Sequence, residues 1–116
     1  MTTPLSLLCQ LCGLSHREAA EYLGVSHDTV KAWSSGRNPT PKRALNQLAD
    51  LSGKIDASAN DTFNFLKERD WPFNVALALE GTEDAVTAIG WPCIGVHRAT
   101  VARIYALCIR DGMTVI

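Results

Sequence analysis

His27, Asp28, Lys31 and Ser35 are spaced one, three and four residues apart, which gathers them on one face of a helix. A carboxylate such as Asp28 can accept from a cytosine amino group, an ammonium such as Lys31 can meet guanine or phosphate, and the methyl of Thr29 or Ala32 can touch that of thymine. The major groove of a duplex admits one helix, so an exposed face of this make-up is suited to interrogating base edges. Arg37, Lys42 and Arg43 follow closely in the chain. They are placed to grip phosphates and to bring salt dependence rather than sequence choice.

The charge distribution agrees with this reading better than the total does. The 116 residues carry a formal charge of -1, which argues against a wholesale polyanion binder. From Thr29 to Ala49, however, four bases stand with no acid. A locally basic segment on a near-neutral chain is the footprint of a specific binder that relies on dimerisation.

Such a face needs helices to hold it, and the capping chemistry marks them out. Leu5, Leu8 and Cys12 recur at helical spacing between Pro4 and Gly13, giving a first helix over Pro4 to Cys12. Ser15 and Glu18 form a capping box, which starts a second helix at His16 that runs to about Leu23, where Gly24 ends it. Ser26 is the next N-cap, with Asp28 in the first turn, so the third helix runs from His27 to about Ser35. Asn38-Pro39 breaks the chain, and Thr40 with Pro41 is the N-cap and first-turn pair of a long fourth helix. Apolar or small residues at Leu45, Leu48, Ser52, Ile55, Ala59 and Leu66 support that helix, while Gly53 and Asn60 argue against an unbroken rod.

The second and third helices are joined only by Gly24, Val25 and Ser26, so they must cross steeply and share a few buried contacts. Ala19 and Leu23 on one and Val30 and Trp33 on the other have that spacing, and Ala20 is small enough for close approach. Trp33 is therefore assigned to packing rather than to base stacking. In this form the segment LSHREAAEYLGVSHDTVKAWSSGRNPTP resembles the lambda and 434 repressor and Cro-like helix-turn-helix family. The resemblance implies that Ser26, His27, Asp28 and Ala32 face DNA and that Ser15, His16, Ser35 and Arg37 lie against phosphates. Two departures stand out: no glutamine or arginine occupies the base-reading positions, and Ser34 stands where the family usually has glutamate.

After Asp70 the apolar residues alternate, with Phe73, Val75, Leu77 and Leu79 in step, which reads as a strand near 72–79 opened by Pro72. Glu83 to Ile89 and Val96 to Ile109 read as helices, Gly112 as a stop, and Met113 to Ile116 as a further short strand. The overall layout, with Ile89-Gly90-Trp91 and Ala99-Thr100-Val101-Ala102 in the closing segment, is similar to anti-CRISPR-associated repressors and their bacterial relatives. That similarity implies a C-terminal half used for dimerisation.

The cysteines and histidines fit other chemistry less well. Cys9 and Cys12 form a C-x-x-C that Cys93 and His97 could complete as a zinc site, but the first pair lies among leucines in an apolar stripe, where cysteine is ordinarily core. Cys108 reads as core for the same reason. With no export signal and ordinary core content, reduced thiols in a cytoplasmic protein are expected. No carboxylate pair or histidine cluster suggests catalysis, and the glycines fall singly rather than in a phosphate loop. No cofactor and no membrane span are expected.

The sequence therefore points to a mainly α protein with one or two short strands. Residues 1–52 form a helix-turn-helix DNA-binding domain and residues 53–116 a small α+β dimerisation half. Its partners would be double-stranded DNA and a second copy of itself, on palindromic half-sites roughly 34 Å apart. The competing reading is an antitoxin-like module that neutralises a protein partner.

Overall fold

The computed structural model describes residues 2–68 and 82–112. Among these described residues six helices follow one another: α1 (Pro4–Cys12), α2 (His16–Leu23), α3 (His27–Ser34), α4 (Lys42–Lys67), α5 (Glu83–Ala88) and α6 (Ile94–Arg110). Among the described residues there is no strand. The strands expected near 72–79 and at 113–116 lie outside them.

Local chemistry sets most helix ends. The Thr3 side chain caps α1 by accepting from Ser6 N–H at 3.3 Å. Gly13 ends that helix in the left-handed conformation, φ 76°, which favours a residue without a Cβ. Thr82 caps α5 by accepting from Ala85 N–H at 3.1 Å.

The fourth helix departs from expectation in two ways. It starts one residue later, with Pro41 itself at the N-cap and no side-chain cap. It also runs unbroken through Gly53 and Asn60 for 26 residues. A mid-helix glycine costs about 1 kcal/mol relative to alanine. Burial of Ala44, Leu48, Leu51, Ser52, Ile55 and Ala59 along one stripe outweighs that cost, because most helical stability in proteins comes from packing.

Two clusters share this long helix. The larger joins Leu5, Cys9 and Cys12 of α1, Ala19, Ala20 and Leu23 of α2, Val30 and Trp33 of α3 and Leu48, Leu51 and Ile55 of α4. It also takes in Cys93 and Val96 from the start of α6. The smaller packs Ala59 and Phe63 against Ile104, Leu107 and Cys108. The expected boundary at residue 52 thus falls within a continuous helix, and α6 lies along both clusters.

Candidate nucleic-acid interface

The face is built on the α2–α3 pair. Glu18 N–H donates to Ser15 Oγ at 3.2 Å and Ser15 N–H donates to Glu18 Oε1 at 3.0 Å, so the capping box is complete and fixes where α2 begins. Gly24, at φ 71°, lets the chain reverse, and Val25 N–H donates back to Ala20 O at 3.0 Å. Ser26 Oγ then accepts from Thr29 N–H at 3.1 Å and starts α3. Val30 and Trp33 are buried, and this rotational setting leaves the opposite face of α3 outward.

His27, Asp28, Lys31 and Ser35 are exposed on that face. Asp28, Lys31, Ser35 and Arg37 line one shallow surface depression. Lys42 and Arg43 are exposed in the first turn of α4, and Ser15 and Ser26 are exposed at the helix starts, with His16 half-buried behind Ser15. Thr29 is half-buried and its hydroxyl lies 2.7 Å from Ser26 Oγ. Ser26 and Thr29 therefore act first on each other. Ser35 is similarly engaged: its hydroxyl donates to Ala32 O at 3.1 Å and accepts from Arg37 N–H at 3.4 Å.

Ala32 is a correction. It is 3% exposed, so its methyl is unavailable to a thymine. The chain doubles back after α3, through Gly36 at φ 81°, and Asn38 N–H donates to Ala32 O at 3.2 Å. One exposed cation was missing from the expected set. Arg17 stands at the second position of α2 beside His16, and its charge at a helix start flanking the motif was the signal that could have found it.

The electrostatics suit a polyanion. Among the described residues the ion pairs are Lys67–Asp111 at 3.6 Å and Arg103–Asp56 at 3.1 Å, both between α4 and α6. Lys31, Arg37, Lys42 and Arg43 take part in neither, so their charge is left for a ligand.

Behind the face the ionisable groups belong to the packing. Burial pulls the Glu18 carboxyl upward, but hydrogen bonds from Ser15 N–H, the Cys93 thiol and the Ser15 hydroxyl outweigh it and hold the group below its usual range. Burial pushes the Cys9 and Cys93 thiols up to about 11. Cys12 Sγ donates to Leu48 O at 3.5 Å inside the core, and His97 is buried on α6. Among the described residues no three His, Cys, Asp or Glu side chains converge as a metal site would require. No described helix is long and apolar enough to cross a membrane.

Residues 5–57 match the family model of a helix-turn-helix domain. The match opens in α1, spans α2 and α3 and ends within α4, so the unit that carries the exposed face is similar to a helix-turn-helix domain. No curated protein matches the chain.

Proposed function

We propose that this chain is a sequence-specific DNA-binding transcription regulator, a non-catalytic cytoplasmic protein that acts as a homodimeric repressor on a palindromic operator. The observation that carries this reading is the division of α3. Val30 and Trp33 lock one side into the core while His27, Asp28 and Lys31 stand exposed on the other, with uncommitted cations at both ends of the unit. Inserted in a major groove, α3 would read bases with His27, Asp28 and Lys31. Ser15, His16, Arg17, Ser35, Arg37, Lys42 and Arg43 would hold the backbone and set register.

Dimerisation supplies what one head lacks. A single helix-turn-helix unit makes few phosphate contacts, and linking two converts the second binding event into an intramolecular one. The far end of α6 offers an apolar side chain for this, with Ile109 58% exposed. A dimer seated on the operator would occlude polymerase.

Selection of duplexes from a random pool tests the proposal. A palindromic motif with half-sites about one helical turn apart, bound with steep salt dependence, is the expected result. A pool that enriches no motif would sink it. Leu7 and Leu11, four apart on α1 and 54% and 48% exposed, favour the second reading, a module that neutralises a protein partner. A stoichiometric protein that co-purifies with the chain and blocks duplex binding would move the assignment there.

A further inference from the structure

The fourth and sixth helices run side by side, and both lead away from the helices that carry the exposed face. Near its start α6 contributes Val96, fully buried, to the cluster that holds Leu48 and Ile55 of α4. Further along, Ile104 and Cys108 share the smaller cluster with Ala59 and Phe63, and Asp111 pairs with Lys67 at 3.6 Å. The two helices therefore point the same way, from the reading head toward the far end.

One side chain ties this pair of helices to the head. Arg103 donates from Nη2 to Leu11 O at 3.2 Å, and its Nη1 lies 3.1 Å from Asp56 Oδ1. Leu11 stands in the last turn of α1, where backbone carbonyls have no partner within the helix and a cation is favoured. Arg103 thus joins α1, α4 and α6 at once. Two turns earlier, Gly95 and Gly13 touch backbone to backbone, so that a Cβ on either would collide with the carbonyl oxygen of the other. Gly13 begins the turn that leads into α2. A swing of α6 against the head would have to break both contacts.

We infer that Arg103 is a positioning residue for half-site spacing: by tying α6 to the end of α1 and to α4 it locks each reading head to the far end of its chain, so that the dimer accepts one separation of half-sites. The inference rests on the dimeric DNA-binding reading proposed above, with the dimer contact at the far end of α6. A second head adds affinity only when both heads can engage at once. One added base pair moves a half-site by about 3.4 Å along the duplex and turns it by roughly 35°. Heads on flexible tethers would follow that displacement, whereas heads locked to a common contact cannot. Arg103 touches no DNA in this scheme.

Duplex affinity is measured on the full chain, on Arg103→Met and on Arg103→Lys, under conditions where circular dichroism and sedimentation show each to be folded and in the parent's oligomeric state. The duplexes are the palindrome the parent selects, the same palindrome with one base pair added or removed between half-sites, and a single half-site. Methionine keeps an apolar stem and removes both links; lysine keeps the charge but lacks the fork that serves Leu11 O and Asp56 together. The parent should lose about tenfold or more in affinity on each altered spacing. In both variants that loss should shrink to about threefold, with affinity for the single half-site unchanged. A parent that binds all spacings alike overturns the locked arrangement, and variants as strict as the parent overturn Arg103 as the lock. Weaker binding to the single half-site with the spacing penalty kept overturns it too, since the effect then lies within the head. A parent that selects no palindrome or sediments as a monomer overturns the dimeric reading itself, which tolerance of spacing alone leaves standing.

Discussion

The hydroxyl of Thr3 donates to the carbonyl oxygen of Ser34 at 2.9 Å, pinning the residue that caps α1 to the last turn of α3. Thr3 is 7% exposed, and the same oxygen accepts from Ser6 N–H. One buried side chain thus both starts a helix and anchors the end of another, next to Ser35 and Arg37 on the exposed face. Thr3→Val keeps the shape and removes both bonds, so it should lower the unfolding free energy by about 1–2 kcal/mol. Thr3→Ser should retain most of it. Urea unfolding of the three proteins provides the comparison, and a valine variant with the parent's midpoint would mean that neither bond matters.

Two glycine-to-alanine changes should have opposite signs. A Cβ on Gly95 meets the Gly13 carbonyl oxygen, which is backbone and cannot swing aside. Gly95→Ala should therefore destabilise by about 1–3 kcal/mol, in the range of overpacked cores. Gly53 is exposed within α4 and a Cβ there would meet nothing within 4 Å. Gly53→Ala should stabilise by about 0.5–1 kcal/mol through helix propensity. Melting temperatures that move the same way for both variants would contradict the Gly13–Gly95 contact.

How much of this was legible follows from where each determinant sits in the chain. The first three helices were readable almost to the residue because their signals are local: Ser15 with Glu18, Ser26 before His27, and glycine at 13 and 24. The exposed His27, Asp28 and Lys31 followed from the same periodicity that buries Val30 and Trp33. The continuity of α4 was not legible, since packing along its buried stripe, not propensity, carries it past Gly53. Ala32 was misplaced because its burial depends on the return of the chain after Gly36, which no helical period encodes. The meeting of Gly95 with Gly13 joins residues far apart in sequence, and no local pattern announces it. An apolar N-cap likewise gave no warning that α6 begins at Ile94.

Lys31 and Asp28 should fail in different ways. Lys31 is exposed in the last turn of α3 and Asp28 in its first. If Lys31 holds phosphate, Lys31→Ala should weaken binding to all duplexes alike and reduce the slope of log affinity against log salt by about one. Asp28→Ala should instead relax preference at one base pair, worth about 1–3 kcal/mol of discrimination. Affinity measured on the selected motif and on its single-base variants separates the two. Identical motifs and affinities for both variants would mean that α3 does not enter the groove.

Stability should fall at both extremes of pH, for opposite reasons. The Glu18 carboxyl is held below its ordinary value of 4.5 in the fold. Its contribution is thus present above that value and is lost as pH drops through the lower, folded one. The Cys9 and Cys93 thiols behave in the reverse sense. Burial lifts each from 9.0 to about 11, so between these values the unfolded chain loses a proton that the folded chain keeps. Rising pH then favours unfolding, and the effect levels off above about 11. Cys9→Ala should flatten the alkaline limb of a plot of unfolding free energy against pH and leave the acid limb unchanged, whereas Glu18→Gln should flatten the acid limb. Guanidinium unfolding at a series of pH values reads both, and an alkaline limb as steep in Cys9→Ala as in the parent would show that the thiol of Cys9 ionises as readily in the fold as outside it.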